Sequence, residues 1–450
     1  MMKSEYATFQ PRLCYTSALI LDLTLICPVY SRVFLVHFVG IGVLVLGGRG
    51  VKVVALHKKI MKRILISAVL IAGSVFLNGQ SVKKTGANCE LGIKINTHFS
   101  KAAALDSVMQ SYSPAFLPGS AIALYSEAEG WWASAQGYAD LEKKIPMRNC
   151  HLQYIQSISK MYIAVEILQL KEQGKIELDQ PMTEYLPLRY SKYIKGAEKI
   201  TVRMLLNHTS GVAEYNTNAS FISQVILHPL NNFSSEDCLK SIDGAEPQFL
   251  PGAKYLYTNT NYLLLSLIGD AITGDHAAFI KKNIFDRLGL NNSYYGKGHE
   301  YLKSLYLPES YWDVLNIGKP VNITPFQQVT VVSSKGDDGI VCTTTDAVKF
   351  LKGLMEGKLL NAESLKEMMT FVKDEKGNNR YGMGLIYFDL GGIPAYGHGG
   401  GGVGSGCGLL YIPSHKIYLF ISTNLGVFVE SNLSRKADDL RNAILLTLLQ

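Results

Sequence analysis

The chain has 450 residues, of which 47% are hydrophobic and 18% are charged, and its formal net charge is +7. This composition is typical of globular proteins and allows two or three domains or one large two-lobed domain. No tract of lysine and arginine alternates with aromatic residues, which argues against nucleic-acid binding. The seven cysteines form no Cys-x-x-Cys pair and the ten histidines lack metal-ligand spacing, so no metal site is expected.

The first eighty residues contain apolar stretches that bear on the location of the protein. Residues 61–80 have a short basic start, an apolar core and a polar end, which is the pattern of a secretory signal peptide. Residues 1–60 are then an upstream extension, and the alternative is a membrane hairpin. Both interpretations predict a periplasmic or extracellular protein, membrane-anchored if residues 1–77 are retained. A loose leader is predicted at 81–95.

Residues 96–450 are predicted to form one domain, which starts with a helix and two strands. Apolar residues recur at helical spacing over 98–112, and prolines then stop the helix. Two β-rich segments, 119–125 and 131–138, follow on either side of a Glu/Gly turn and predict a hairpin. The sheet of this domain therefore begins near its N-terminal end.

The middle of the chain, about 150–335, is predicted to be a helical insertion. Its helices carry signals at their ends: Thr201 caps a short helix, Asp275 caps a later one, and Gly274 ends the helix before that. The insertion separates the two strand-rich parts of the chain.

The C-terminal part is predicted to be rich in strands and to close with an amphipathic helix at 430–449. Turn signals separate the candidate strands, which are 381–388, 395–398, 406–411 and 416–422. Strands at both chain ends with short turns predict one antiparallel sheet completed by both ends and flanked by helices. The fold class is therefore α+β, with an all-helical subdomain inserted between the strand-rich parts.

The stretch from Gln156 to Lys160 carries the first candidate chemistry. Ser157 and Lys160 are three residues apart, which places both side chains on the same face of a helix. The run 161–170 is too apolar for a surface helix, so Ser157 is predicted at the head of a buried helix ended by Gly174. Unpaired backbone N–H groups and the helix dipole favour an anion there. Alone, the pattern also fits a capping serine and a surface lysine.

Two later motifs, Tyr257-Thr258-Asn259 and His398–Gly401, complete a constellation with Ser157 and Lys160. This order of motifs resembles the serine β-lactamase and penicillin-binding-protein superfamily, especially its class C β-lactamase, esterase and D-stereospecific peptidase branch. The resemblance covers about residues 95–445 and implies a β-lactamase/transpeptidase-like fold. It also assigns structural roles to the supporting segment around His208 and Ser210.

The resemblance implies a chemical role for each residue that matches a motif. Ser157 would attack a carbonyl carbon and form an acyl-enzyme, with either Lys160 or Tyr257 as the base that takes its proton. Burial is expected to lower the pKa of Lys160, and neighbouring cations are expected to favour the Tyr257 phenolate. Tyr257 would also protonate the leaving group. Asn259 would bond to Lys160 or to the substrate amide.

His398, Gly400 and Gly401 are the residues predicted to line the substrate and the oxyanion. The backbone N–H groups of Ser157 and Gly401 would form the oxyanion hole, and the glycines would let a substrate lie close along the strand. His398 departs from the lysine that is typical of β-lactamases. A histidine is shorter and can be neutral at pH 7, which weakens the case for efficient penicillin hydrolysis and fits esterases and peptidases.

The sequence therefore predicts an exported serine hydrolase that cleaves an ester or amide through an acyl-enzyme on Ser157, without a cofactor. Candidate substrates are a small ester, a D-amino-acid or cell-wall peptide, and a β-lactam. One alternative is a penicillin-binding sensor or binding protein of the same fold without efficient turnover. Another is a membrane-embedded protein that carries the hydrolase domain as an appendage. The expected partner is a small-molecule or peptide substrate, and the oligomeric state is open.

Overall fold

The computed structural model describes residues 91–296 and 299–450, together with the backbone of four short strands nearer the N-terminus. The predicted signal peptide at 61–80, the first part of the predicted leader and the rest of 1–60 lie outside the described residues. The chain divides into two compact units, residues 1–66 and 67–450. In the first unit, the strands form an antiparallel sheet in chain order: β1 (Asp22–Leu23), β2 (Val36–Val39), β3 (Gly42–Gly47) and β4 (Gly50–Ala55).

The second unit contains both strands and helices, as expected for an α+β fold. Its strands are β5 (Gly119–Ser126), β6 (Gly130–Asp140), β7 (Ile145–Pro146), β8 (Leu152–Tyr154), β9 (Ser293–Tyr294), β10 (Tyr311–Trp312), β11 (Val321–Asn322), β12 (Val341–Thr343), β13 (Val372–Lys373), β14 (Asn379–Tyr381), β15 (Ile386–Asp389), β16 (Pro394–Gly401), β17 (Gly406–Ile412) and β18 (Ile417–Thr423). Its helices are α1 (Ala102–Tyr112), α2 (Ser159–Glu172), α3 (Leu188–Ser191), α4 (Val202–Leu206), α5 (Ala219–Leu227), α6 (Ser235–Lys240), α7 (Asn259–Thr273), α8 (His276–Ile280), α9 (Asp286–Leu288), α10 (Thr324–Ser333), α11 (Thr344–Met355), α12 (Ala362–Met368) and α13 (Asn432–Leu449).

One nine-stranded antiparallel sheet, in the order β13-β14-β15-β16-β17-β18-β5-β6-β7, organises this unit. β18, the last strand of the chain, pairs with β5, which is the first strand of this sheet in chain order, and Phe420 lies opposite Ala123. The prediction that both ends of the domain complete one antiparallel sheet is thereby confirmed. The remaining strands form a small sheet in the order β8-β12-β9 and the pair β10-β11. The predicted insertion, about 150–335, carries α2 to α10 and the short strands β8 to β11.

The sheet has an apolar core on each face. The terminal helices α1 and α13 cover one face, where Leu105 and Ile444 pack with strand residues such as Leu419. Helices α2 and α11 lie in the larger core on the other side, and the rings of Tyr162 and Phe350 stack there with centroids 3.5 Å apart. The segment that carries Ser157 is thus attached to a helix that is buried along almost its whole length.

Local sequence signals placed several helix ends correctly. Thr201 accepts a hydrogen bond from the Met204 N–H, and Asp275 accepts one from Ala278, as capping residues do. Gly274 ends α7 with φ +81°. The predicted single strand at 381–388 was wrong.

The chain breaks that predicted strand into β14 and β15 at a tight glycine turn. A Cβ on Gly382 would lie 2.2 Å from the Met368 carbonyl oxygen, and Gly384 has φ +74°. Any side chain at position 382 would clash with this oxygen, and glycine adopts the left-handed backbone at position 384 without strain. Sequence alternation alone does not reveal a backbone contact with α12.

The structure contains no single helix, within its described residues, that is long and apolar enough to cross a membrane. The bent pair Asn259–Thr273 and His276–Leu288 meets the criteria of length and composition only when its two helices are taken together.

A buried carboxylate in α2 packs so closely against α7 that α7 has a glycine at the contact. Glu166 Oε2 lies 3.3 Å from His276 Nδ1, and a Cβ added to Gly269 would lie 2.7 Å from Glu166 Oε1. Replacing glycine by alanine inside a helix usually stabilises a protein by about 0.5–1 kcal/mol. Here we expect Gly269→Ala to destabilise it by about 1–3 kcal/mol, because the methyl group overpacks the site. Thermal unfolding measures the sign, and a raised melting temperature would contradict the expectation.

Candidate active site

Ser157 lies in the turn of 3₁₀ helix at Gln156–Ile158, directly before the first α-helical residue of α2, Ser159. The predicted position at the head of a buried helix is therefore correct to within one short turn. Gln156 has φ +51°, a left-handed conformation that is uncommon for a residue other than glycine. The backbone thus bends sharply where the serine leaves it.

Lys160 points back toward Ser157 from the first turn of α2. Its Nζ lies 3.1 Å from Ser157 Oγ, 2.8 Å from Asn259 Oδ1 and 2.6 Å from the Asp337 carbonyl oxygen. The side chain is fully buried, and burial lowers the pKa of Lys160 to about 8. A lysine with this pKa has a substantial neutral fraction near physiological pH and can accept a proton.

Acidic groups keep the pKa of Lys160 from falling further. The charges of Asp337, Asp338 and Glu214 all favour the ammonium form, although burial outweighs them. Burial in turn raises the pKa of Asp337, against the effect of Lys160, and its Oδ2 accepts a hydrogen bond of 2.7 Å from the Tyr215 hydroxyl. Burial and Asp337 raise the pKa of Asp338 to about 7.

Tyr257 lies over the same amine but is a poor candidate for a phenolate. Its ring centroid is 5.0 Å from Lys160 Nζ and 4.4 Å from the His208 ring. Burial raises the pKa of Tyr257 far above its ordinary value, and the nearby Ser157 hydroxyl opposes this only in part. The Tyr257 hydroxyl has no partner with hydrogen-bond geometry among the described residues. The expectation that neighbouring cations favour the phenolate is therefore wrong for the free protein, because desolvation dominates.

Asn259 is the first residue of α7 and holds Lys160 through its side-chain oxygen. The carboxylate of Glu214 orients Asn259. The backbone N–H of Asn259 donates to Glu214 Oε2 at 2.6 Å, and Asn259 Nδ2 lies 3.3 Å from the same oxygen. The carboxylate therefore fixes which end of the amide faces Lys160. The sequence predicted that Asn259 bonds to Lys160 or to the substrate amide, and the structure shows the hydrogen bond to Lys160.

His398 is buried in β16, and both of its ring nitrogens are engaged. Nδ1 lies 2.6 Å from the Gly399 carbonyl oxygen, to which it must donate. Nε2 lies 3.0 Å from the Tyr381 hydroxyl and then accepts a hydrogen bond from it. Burial, with a smaller contribution from Lys160, lowers the pKa of His398 to about 3. This histidine is neutral at pH 7 and presents no cation to a substrate.

The glycines after His398 bring β16 against the serine turn. A Cβ on Gly400 would lie 2.5 Å from both Cys407 Sγ and the Ile155 carbonyl oxygen. The pairing of β15 with β16 ends at Gly397, so the edge beyond it is open among the described strands. Gly402 donates its N–H across the hairpin to the Ser405 carbonyl oxygen, and strand alternation then turns the Gly401 N–H toward that open edge. This orientation suits an oxyanion donor.

The supporting residues His208 and Ser210 have the structural contacts expected of them. His208 is buried with φ +61°, and its Nδ1 accepts the Thr258 N–H at 3.2 Å and lies 2.9 Å from Asn261 Nδ2. Ser210 Oγ donates to Asn261 Oδ1 at 2.6 Å. The His208 ring packs against the Tyr257 ring, with the two centroids 4.4 Å apart.

Glu214, Asp337 and Tyr381 belong to the site but were missed in the sequence. Asp337 acts on Lys160 through its backbone carbonyl and its side-chain charge, but the two residues are 177 positions apart in the sequence. Tyr381 and Glu214 contact the predicted residues only because the fold brings distant segments together. Gln156 lies directly before Ser157, and its residue type alone gave no signal of a role in the site.

Comparison with known proteins agrees with this fold. The beta-lactamase family model matches residues 106–443, and the chain belongs to that family. A curated relative, penicillin-binding protein 4* of Bacillus subtilis, is 26% identical over 64% of this chain and 64% of its own length. The chain spans less than two thirds of the length of the curated relatives that it matches here.

Solved structures share the β-lactamase/transpeptidase-like fold. D-amino acid amidase from Ochrobactrum anthropi, complexed with L-phenylalanine amide, superposes with a TM-score of 0.65 at 24% identity, covering 77% of this chain and 99% of that one. The octameric penicillin-binding protein homologue from Pyrococcus abyssi superposes with a TM-score of 0.61 at 26% identity, covering 75% and 77% of the two chains. The first of these comparisons supports the fold alone.

Proposed function

We propose that this protein is an exported serine hydrolase that cleaves esters or amides through an acyl-enzyme on Ser157. The observation that carries the proposal is the contact of 3.1 Å between Ser157 Oγ and Lys160 Nζ, in a site where burial lowers the pKa of the amine to about 8. A serine hydroxyl needs a nearby base to become an effective nucleophile, and neutral Lys160 is that base.

The proposed reaction has two halves. Neutral Lys160 takes the Ser157 proton as Oγ bonds to the substrate carbonyl carbon, and the N–H groups of Ser157 and Gly401 receive the oxyanion. The tetrahedral intermediate collapses when Tyr257 gives its proton to the leaving ester oxygen or amide nitrogen, and Lys160 returns a proton to Tyr257. Water then attacks the acyl-enzyme by the same route and releases the acid.

We infer further that the favoured substrates lack a carboxylate at the end that lies beside His398. This histidine is buried, neutral and bonded at both nitrogens, so it supplies no charge to a carboxylate. The acidic groups around Lys160 favour a neutral or cationic substrate instead. Small esters and D-amino-acid amides fit this requirement better than penicillins or peptides with a free carboxylate.

Export rests on the signal-like segment at 61–80 and on one cysteine. Cys150 is disulfide-bonded, which fits an oxidising compartment outside the cytoplasm. Mass spectrometry of the N-terminus of the mature chain tests this part of the proposal. A mature chain that begins near residue 80 supports export, whereas one that retains residues 1–60 favours a membrane attachment.

Intact-mass analysis tests the reaction itself. The full-length chain is mixed with a p-nitrophenyl ester, a D-amino-acid p-nitroanilide or benzylpenicillin, and the adduct mass and product release are followed. We expect ester and anilide turnover that disappears in Ser157→Ala. Ser159→Ala is the matched control, since Ser159 lies in the same motif but its Oγ accepts the Ile340 N–H at 3.2 Å.

Each other outcome of that experiment changes the proposal in a defined way. A lasting penicillin adduct on Ser157 without ester turnover would identify a penicillin-binding sensor or peptidase in place of an esterase or amidase. Turnover that survives in Ser157→Ala but is lost in another serine variant would remove Ser157 as the nucleophile.

Tyr257→Phe separates the two roles that were left open for this tyrosine. The variant keeps the ring that packs on His208 and removes a buried hydroxyl that lacks a hydrogen-bond partner, so we expect unchanged or slightly higher stability. We expect anilide hydrolysis to fall by roughly 10²-fold, because an amine leaving group needs a proton. The p-nitrophenyl ester, whose leaving group does not, should lose much less. Equal losses for both substrates would instead make Tyr257 the base.

A further inference from the structure

Gln156 is the residue immediately before the nucleophile, and its side chain has no visible purpose in the free protein. The residue is 1% exposed, and its Nε2 has no hydrogen-bond partner among the described residues. It also adopts a left-handed backbone conformation, with φ +51°. An unpaired buried amide lowers stability, and an apolar side chain of the same length would fill the space without that loss.

The opposite strand is shaped around this side chain. A Cβ on Gly402 would lie 2.2 Å from Gln156 Oε1 and 2.5 Å from Nε2, and a Cβ on Gly400 would lie 3.1 Å from Gln156 Cβ. Both positions are glycine, so the amide fits under the end of β16. The carboxamide therefore lies between the serine turn and the β16–β17 hairpin, the two segments that carry the N–H groups of Ser157 and Gly401.

We propose that Gln156 is a further substrate-binding residue, whose carboxamide donates a third hydrogen bond to the carbonyl oxygen held by the N–H groups of Ser157 and Gly401. This inference rests on the proposed acyl-enzyme reaction. To donate this bond, the amide turns about its last side-chain bond toward the oxygen. Side-chain amides are established oxyanion donors, and a donor held ready in a shielded site acts without further reorganisation.

The polar group that is unpaired in the free protein thus acquires its partner when the substrate binds. The bond strengthens as the carbonyl oxygen becomes an oxyanion, so it accelerates acylation more than it tightens substrate binding. The inference does not alter the roles of Lys160 or Tyr257, which move protons and do not contact this oxygen.

Gln156→Met in the full-length chain tests the inference. Methionine is unbranched and close in size, so it tolerates the same backbone and fills the same space. We expect the acylation rate with a p-nitrophenyl ester to fall on the order of 100-fold, as for other oxyanion donors, while the apparent dissociation constant changes little. The melting temperature should stay the same or rise, because an unpaired buried amide is removed.

Gln153→Met is the matched control, because Gln153 is equally buried but fully bonded. Its Nε2 donates to the His151 carbonyl oxygen at 3.1 Å, and its Oε1 accepts the Ser422 hydroxyl at 2.8 Å. This variant should lose melting temperature and retain its acylation rate. Gln156→Met would then lose acylation rate and keep its melting temperature, whereas Gln153→Met would lose melting temperature and keep its acylation rate.

Wild-type acylation in Gln156→Met would overturn the inference, and a fall in melting temperature as large as that of Gln153→Met would assign Gln156 a packing role. Failure of the proposed function has a different signature, since the wild-type chain itself would then form no adduct on Ser157. Gln156→Glu provides a second measurement. It keeps the size but places a carboxylate beside the oxyanion, so acylation should be slower still at pH 8. Its rate relative to the wild-type chain at the same pH should partly recover as the pH falls.

Discussion

Lys160→Met is expected to slow acylation by roughly 10³-fold, because it removes the base that takes the Ser157 proton. Methionine has nearly the same length, so the apolar contacts of the buried side chain are largely kept. Pre-steady-state release of p-nitrophenol measures the acylation step directly. Lys171→Met is the matched control, since Lys171 lies on the same helix, is partly exposed and pairs with Glu367 at 2.7 Å. A Lys160→Met variant that acylates as fast as this control would exclude the lysine as base.

The same residue sets the expected pH dependence. Burial lowers the pKa of Lys160 to about 8, so the neutral amine is the minor form below that pH and the major form above it. The acylation rate should therefore rise about tenfold per pH unit below the pKa and level off above it. His398 should contribute no inflection between pH 5 and 9, because burial holds its pKa near 3. A rate that falls between pH 6 and 9 would contradict this assignment.

Gly400→Ala is expected to damage both stability and activity. Its methyl group would lie 2.5 Å from Cys407 Sγ and from the carbonyl oxygen of Ile155, two residues before Ser157. Overpacking of this kind costs about 1–3 kcal/mol and pushes the serine turn away from β16. Melting temperature and acylation rate should therefore fall together.

Gly399→Ala is the control for that variant, since it is the neighbouring glycine in the same strand. The closest atom to its added Cβ is the Cys407 carbonyl oxygen at 4.0 Å, an ordinary contact distance. We expect little loss of stability in this variant. Equal damage from the two substitutions would show that flexibility of the glycine run, and not contact at Gly400, is what the strand requires.

The sequence was sufficient to predict the features that depend on residues close together in the chain. Helical spacing placed Ser157 beside Lys160, and capping chemistry identified Thr201 and Asp275. Tyr257, Asn259 and His398 came from a resemblance between motifs, since each alone is an ordinary residue. The lowered pKa of Lys160 was expected from its burial, whereas the raised pKa of Tyr257 was not.

The remaining features depend on contacts between distant segments. The raised pKa of Tyr257 and the lowered pKa of His398 both follow from burial, which depends on every segment packed around them. Asp337 contributes a backbone oxygen, which any residue type could supply, and a charge that raises the pKa of Lys160 only because the fold brings the two residues together. The break between β14 and β15 reflects the approach of Gly382 to Met368 on another element. Such contacts leave no periodic trace in a sequence.

The pairing of β18 with β5 also has a consequence for the order in which the protein is made. Ser157 and Lys160 leave the ribosome long before β16, whose Gly401 completes the site, and β5 must wait for β18, its neighbour in the finished sheet. During synthesis the growing chain therefore carries Ser157 and Lys160 without the strand that lies against them in the finished fold. Under the proposed reaction, the site is complete only when the last strands have joined the first, so a partly synthesised chain is expected to be inactive.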